Sequence, residues 1–182
     1  AQAASNLSQA SFWEDYKLFT TSDLRRMGDV SFCATLLILA RKGIVDETND
    51  RVLNEAYDDY KLSYPYEFED LEKIKKWMAI IAKLWTPKTK AFLKKKTQLY
   101  TTFCLADYIT NNSINLSKIE VDKFVKYVEY YNAFKNDKTN DSIPTNLIDT
   151  ITKHKLASSE GIHKSKNRIT RYKALRGAIL DK

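Results

Sequence analysis

An all-α domain is the fold class that three features of the sequence predict. Glycine and proline are scarce, four and three in 182 residues, which argues against a turn-rich sandwich or barrel. Leu71, Ile74, Met78, Ile81 and Trp85 recur at helical spacing, with Trp77, Ile80 and Leu84 alongside. Start signals stand where apolar patterns begin, as at Ser117 three residues before Glu120, the spacing of a capping box. The expectation is roughly seven helices around a buried central one. Strand readings, such as 103–109, have less support than helical ones.

The central helix is expected over residues 22–43. Ser22 suits its N-cap and Asp23 its first turn, Arg41 and Lys42 suit the last turn, and Gly43 stops it. Between 30 and 40 only Ser31 and Thr35 are polar, so this helix should be buried nearly all round. It is too short and too flanked by charge to span a bilayer. Arg25 and Arg26 sit at the positive end of the helix dipole, the wrong end for cations. Two readings follow. Asp29 pairs with them in an ion-pair knot, or they form an anion site with the free N–H groups of the helix start.

The remaining elements follow in order. Residues 1–11 read as a flexible lead-in, and a single helical domain fills 12–182. Phe12, Trp13, Tyr16 and Phe19 suggest a short aromatic helix against the central one. Residues 44–72 carry ten acids against Arg51 and Lys61. A helix is expected over 50–62, and the Tyr64-Pro65-Tyr66 run breaks it. The acids Asp46, Asp50 and Asp58 fit a solvated face better than a metal loop. Strong helices follow over 67–85 and 89–109. Nine lysines and no acid lie between Lys73 and Ala106. That block faces either the acidic stretch inside the fold or a polyanion. After a loop at 111–113, helices are expected over 117–135, 144–153 and about 164–180, with a polar loop at 136–142 and a break at Gly161.

Charge is unevenly spread. Residues 153–182 hold nine basic side chains and two acids, which equals the whole net charge of +7. Such asymmetry points to an anionic partner. On a wheel of the last helix Ile169, Tyr172, Leu175 and Ile179 share an arc that also takes in Arg168 and Arg176. Those two arginines are expected to be partly buried and paired. Lys164 and Arg171 flank the arc, either snorkelling around an apolar stripe or contacting phosphate.

No Gly-rich phosphate loop, nucleophile motif or His-led metal pattern occurs, so no catalytic residue, cofactor or metal is assigned. Cys33 and Cys104 are the only cysteines; two reduced core thiols of a cytoplasmic protein are expected, with a disulfide between them as the alternative. Three Asn-X-Ser triplets match the glycosylation pattern but lack a secretion signal. The chain opens on Ala-Gln-Ala-Ala rather than Met, as a trimmed protein or a piece of a longer one would.

Two stretches carry a family resemblance. The run Leu18-Phe19-Thr20-Thr21-Ser22-Asp23-Leu24-Arg25-Arg26-Met27-Gly28-Asp29, followed by the apolar stretch and Gly43-Ile44, resembles the helical region of GmrSD-type restriction proteins. These are prokaryotic phage-defence nucleases. Ala157-Ser158-Ser159-Glu160-Gly161-Ile162 and then Asn167-Arg168-Ile169-Thr170-Arg171 resemble a later motif of the same region. The resemblance implies a ParB/sulfiredoxin-like N-terminal domain with an Asp-Gly-Gln-Gln-Arg motif and, in many members, a His-Asn-His nuclease domain. Neither is in this sequence, so no catalytic residue carries over. What carries over is Arg25, Arg26 and Asp29 in one motif and Asn167, Arg168 and Arg171 in the other, either as structural or as ligand-binding residues.

The expectation is a helical accessory domain of such a restriction endonuclease, positioning or regulating a catalytic domain. Its partner would be duplex DNA, met by Lys164, Arg171, Lys94, Lys95 and Lys96. The alternative is a protein–protein scaffold whose basic helix docks on an acidic surface, of its own missing N-terminal domain or of another chain, with no nucleic-acid or membrane contact. An enzyme complete in itself ranks third.

Overall fold

The computed structural model describes residues 1–136 and 138–181. Asp137 of the expected polar loop and Lys182 of the basic tail lie outside the described residues. Among those described there are eleven helices and no strand.

The chain begins with α1 (Gln2–Ser8), where a loose lead-in was expected. Ala3, Ala4 and Leu7 are buried, because small side chains let the helix lie close on its neighbour, and the Trp13 indole N–H donates to the Leu7 carbonyl at 2.8 Å. Then come α2 (Ser11–Asp15) and α3 (Thr21–Arg25). Thr20 and Asp23 form a capping box at the start of α3.

The expected helix over 22–43 is therefore two helices, α3 and α4 (Gly28–Lys42). Met27, in the left-handed region at φ 54°, separates them. The turn is tight: a Cβ on Gly28 would meet the Asp23 carbonyl oxygen at 3.3 Å. The capping box closes α3 early, and glycine lets α4 restart against it.

The acidic stretch holds α5 (Arg51–Asp59) and leads into α6 (Glu67–Leu84). Arg41 at the end of α4 anchors it. Its guanidinium pairs with the buried Asp70, its Nε donating at 2.9 Å, while the Tyr64 hydroxyl donates to the same carboxylate at 2.5 Å. Lys42 reaches Asp59 at 3.5 Å.

The helix expected over 89–109 is also divided, into α7 (Lys90–Leu93) and α8 (Lys96–Asn111). The break falls at Lys94 and Lys95, the latter extended as the N-cap residue of α8. The chain continues through α9 (Lys118–Ala133), α10 (Thr145–Ala157) and α11 (Ser165–Leu180). The capping box at Ser117 and Glu120 forms as expected.

Two apolar clusters fill the interior. One joins α1, α2, α4, α6 and α8 around Trp13, Phe32, Trp77 and Phe103. The other joins the end of α6 with α7 to α11 around Phe92, Phe124, Tyr127 and Leu175. Helix α4 belongs to the first alone. Helix α8 supplies Leu99 and Phe103 to the first and Leu105 and Ile109 to the second, and it is buried at every position from Gln98 to Ala106. The two thiols, Cys33 and Cys104, are buried and unbonded to each other.

A polar chain ties α8, α9 and α10 inside the second cluster. Gln98 Nε2 donates to the Tyr131 hydroxyl and to Ser158 Oγ, both at 3.1 Å. His154 Nε2 lies 2.7 Å from Gln98 Oε1, and its Nδ1 lies 2.8 Å from the Tyr127 hydroxyl. Because Gln98 Oε1 only accepts, a neutral His154 carries its proton on Nε2 and takes the Tyr127 proton at Nδ1. Burial, then the charges of Arg171 and Lys155, pulls the His154 pKa down to about 3.

An acid-sensitive stability follows. The unfolded chain binds a proton at His154 as pH falls below its ordinary value near 6.5, whereas the folded chain resists until about 3. The stabilisation is thus complete above about pH 6.5 and lost as pH falls toward 3, at up to about 1.4 kcal/mol per pH unit for one group. Urea titrations between pH 7 and 5 should show this loss. His154→Gln should flatten it, leaving the smaller slope of His163, whose pKa burial and then Arg168 also lower.

Candidate functional site

The stretches 18–29 and 157–171 are far apart in sequence, yet both reach one cleft. Gly28 of the first, and Ile162, Arg168 and Arg171 of the second, line it. Helix α4 adds Ser31, Phe32 and Thr35, helix α8 adds Lys96, Thr97 and Tyr100, and His163 completes the wall. The positions on α4 repeat at i, i+3, i+4 and i+7, one face of a helix. The cleft encloses about 350 Å³, within the usual range for small-molecule sites of about 300–1,000 Å³.

The later motif has a structural task that its residue types explain. Gly161 turns the α10–α11 loop at φ 54°, where a Cβ would meet Lys164 at 3.0 Å and the Asn167 amide nitrogen at 3.2 Å. Asn167 Nδ2 donates to the Glu160 and Gly161 carbonyls at 2.8 and 3.1 Å. Arg171 donates from Nη1 to the Ala157 carbonyl at 2.5 Å, from Nη2 to Ile162 at 2.8 Å, and from Nε to Thr101 Oγ1 at 3.1 Å. Only a planar fork of donors reaches three acceptors on three elements.

Arg168 turns the other way. Its Nη1 donates to the Val45 carbonyl at 3.0 Å and lies 3.1 Å from Glu47 Oε1. Its Nη2 reaches Glu47 Oε2 at 3.3 Å, and its guanidinium stacks on the Tyr100 ring at 4.3 Å. Burial works against this charge, but the Glu47 hydrogen bond and the fields of Tyr100 and Glu47 hold its pKa up. Thr35 Oγ1 donates to Glu47 Oε2 at 2.9 Å, and the Glu47 N–H donates to the His163 carbonyl at 3.0 Å. Asp46 takes the Ser165 N–H at 3.3 Å, capping α11 from a distance.

The expected contact residues separate into two groups. Arg171 is 1 % exposed, so it is part of the interior and not a surface phosphate contact; its donors are turned to the loop it clamps. Arg168 is buried and paired, as the helical wheel suggests, but Ile169 on the same arc is exposed. Lys96 is half-buried and pairs with Asp23. That pairing, first by its hydrogen bond, pulls the Asp23 pKa down to about 2. Lys94, Lys95 and Lys164 are exposed, and no acid pairs with them among the described residues.

Arg25 and Arg26 are exposed, and the knot with Asp29 does not form: no ion pair joins them among the described residues. Asp23, one turn earlier, is the acid that finds a partner. The lysine block does not face the acidic stretch either. Lys73 pairs with Asp107, Lys88 with Glu129 and Lys96 with Asp23, and Lys75 only with its helix neighbour Glu72. The acids of the stretch meet Arg41, Lys42 and Arg168 instead.

Sequence reasoning missed Glu47, Tyr100, Thr97 and His163. One signal for the cleft was present: Ser31 and Thr35, the only polar residues of the apolar run, both line it. No group of three potential metal ligands exists among the described residues. Among the described residues no helix is long and apolar enough to cross a membrane. No family model, curated protein or solved structure matches the chain.

The Glu47 pairing should be costly to break. Glu47→Ala leaves the buried Arg168 charge uncompensated and should lower stability by about 3–5 kcal/mol, seen as a lower urea midpoint at unchanged slope. Glu69→Ala, at a largely exposed carboxylate, should stay within about 0.5 kcal/mol of wild type.

Proposed function

We propose that this chain is a helical accessory domain of a GmrSD-like restriction endonuclease, which helps to position or regulate a catalytic domain and contacts DNA phosphates. The observation that carries this reading is that both resembling stretches line one cleft, with exposed cations close in sequence to its lining residues. Arg25 and Arg26 stand on α3, whose Asp23 binds Lys96; Lys94 and Lys95 precede α8; Lys164 precedes α11. Exposed cations on three neighbouring elements suit a backbone-following polyanion contact, which positions without reading sequence. Lys95 and Lys155 are near enough that the Lys95 charge helps to lower the Lys155 pKa, after burial. Unpartnered like charges of this kind gain from an anion between them.

A second reading, a protein-interaction scaffold, has its own support. Leu62 and Phe68 are 98 % and 77 % exposed, with Tyr66 between them. Exposed large apolar side chains so close together are a feature of docking surfaces.

Fluorescence anisotropy with a labelled duplex, across a salt series, separates the two. The accessory-domain reading expects affinity to fall steeply with salt, and Lys95→Glu and Lys164→Glu each to weaken binding and cut the log–log slope by about 1. Absence of binding at low salt would overturn the DNA contact and leave the scaffold. Arg171→Glu is not a fair test, because a reversed charge at a buried clamp unfolds the loop it holds.

A further inference from the structure

Three cations line the cleft, and two have a carboxylate: Lys96 has Asp23 and Arg168 has Glu47. Arg171 has none among the described residues, only a hydroxyl and two carbonyls. A buried charge without a counter-charge is costly, and in a low dielectric its field reaches further than in water. Burial, and then repulsion from Arg168, lowers the Arg171 pKa, in keeping with a missing anion.

The backbone adds to this excess. Helices α4 and α8 both begin at the cleft, with Gly28 and Lys96 in its wall. Neither start has a side-chain cap, and their first-turn N–H groups have no acceptor among the described residues. Two positive helix ends therefore lie at a cleft that also holds one buried guanidinium without a counter-charge, that of Arg171.

The buried wall also holds unused polar atoms. Arg168 Nε has no hydrogen-bond partner. Tyr100 Oη has none of good geometry, the Cys104 thiol beside it being a weak one. At the accessible surface Ser31, Thr97, Lys96 and His163 offer donors.

We propose that this cleft is a receptor for a compact tetrahedral oxyanion of the phosphate monoester class. Lys96 and the hydroxyls of Ser31 and Thr97 hold it at the accessible side, the starts of α4 and α8 face it, and Arg171, the cation without a carboxylate, supplies the field from beneath. The proposal does not rest on the duplex contact, which uses the exposed rim. The monoester has two sources of the same chemistry, a free small phosphate or the 5′-phosphate of a nucleic-acid end.

The test titrates inorganic phosphate into the full chain at constant ionic strength, balanced with chloride, and follows the two histidine rings by NMR. His163 lines the cleft and His154 lies outside it, so His163 should shift saturably while His154 stays. Lys96→Met should weaken the response roughly tenfold. Asp23→Asn, which frees Lys96 and removes a negative charge, should strengthen it. A merely structural role for the Lys96–Asp23 pair would make both variants respond less, in step with lost stability. Lys173→Glu, at a position away from the cleft, should leave phosphate binding unchanged.

Two further arms assign the source. Binding of glucose 6-phosphate supports a free small phosphate. Binding of a 5′-phosphorylated oligonucleotide above its 5′-hydroxyl twin supports a nucleic-acid end. No His163 shift with phosphate, an equal shift with chloride, or an equal shift with both oligonucleotides and none with the sugar phosphate would overturn the proposal.

Discussion

The Arg171 guanidinium holds three elements at once. It joins Thr101 on α8, Ala157 at the end of α10 and Ile162 in the loop before α11. Burying a charge costs several kcal/mol, and each hydrogen bond from a charged donor returns about 1.5–3 kcal/mol. Three such bonds come near to balance, which is why the side chain is an arginine and not a lysine: an ammonium cannot span three fixed acceptors in a plane. Arg168, one turn earlier, fixes the 45–47 segment to the same helix. The cleft wall is thus set by two arginines three residues apart, and its positive character is a by-product of how the loop is held.

Around that clamp the fold is organised by α8. Like α6 it contributes to both apolar clusters, and its polar interior residues are satisfied within it or across to α9, α10 and α11. Thr101 and Thr102 donate to carbonyls four residues back at 2.9 and 2.8 Å, and Gln98 meets His154, Tyr131 and Ser158. A helix buried from 98 to 106 cannot carry unpaired polar groups cheaply. The few it has, such as Tyr100 Oη, lie where α8 meets the cleft. Of the buried polar atoms without a partner among the described residues, Tyr100 Oη and Arg168 Nε belong to residues that line the cleft, whereas Trp77 Nε1 and Glu47 Oε1 belong to residues that do not.

Much of the fold was legible in the sequence, and its limits are physical. The helical class follows from periodicity and from scarce glycine and proline, and the capping box at Ser117 follows from spacing. The break at Met27 was not legible, because the 22–43 stretch has helix-compatible residues throughout; the deciding contact is the close approach of Asp23 and Gly28, with Lys96 from distant sequence holding Asp23. The helix at 2–8 reads as loose in sequence because its small side chains have a weak apolar signature, yet Ala3 and Ala4 suit close packing. For the site, residue types were legible and partners were not. Arg25 and Asp29 are well spaced to pair, but Asp23 and Glu47 are the acids that take partners, across 73 and 121 residues. Helical spacing reports neighbours within one helix and says nothing of such pairs.

The same distinction governs the basic tail. Its nine cations, less its two acids, account for the whole net charge of +7 in sequence, but they are not equally available. Arg168 and Arg171 are buried, Lys153 pairs with Asp149, Lys155 lies over Tyr131, and Arg176 lies over Tyr108 and Tyr172. Lys164, Lys166 and Lys173 are left exposed without an acidic partner among the described residues. Segregation of charge along the chain is thus not segregation in space. Among the cations in the cleft wall or close to it in sequence, Lys96, Arg168 and Arg171 are spent on internal contacts and Arg25, Arg26, Lys94, Lys95 and Lys164 are exposed. Inner and outer cations meet different demands: the inner ones are fixed and desolvated, which suits one small anion, and the outer ones are mobile and hydrated, which suits a polyanion whose backbone they can follow.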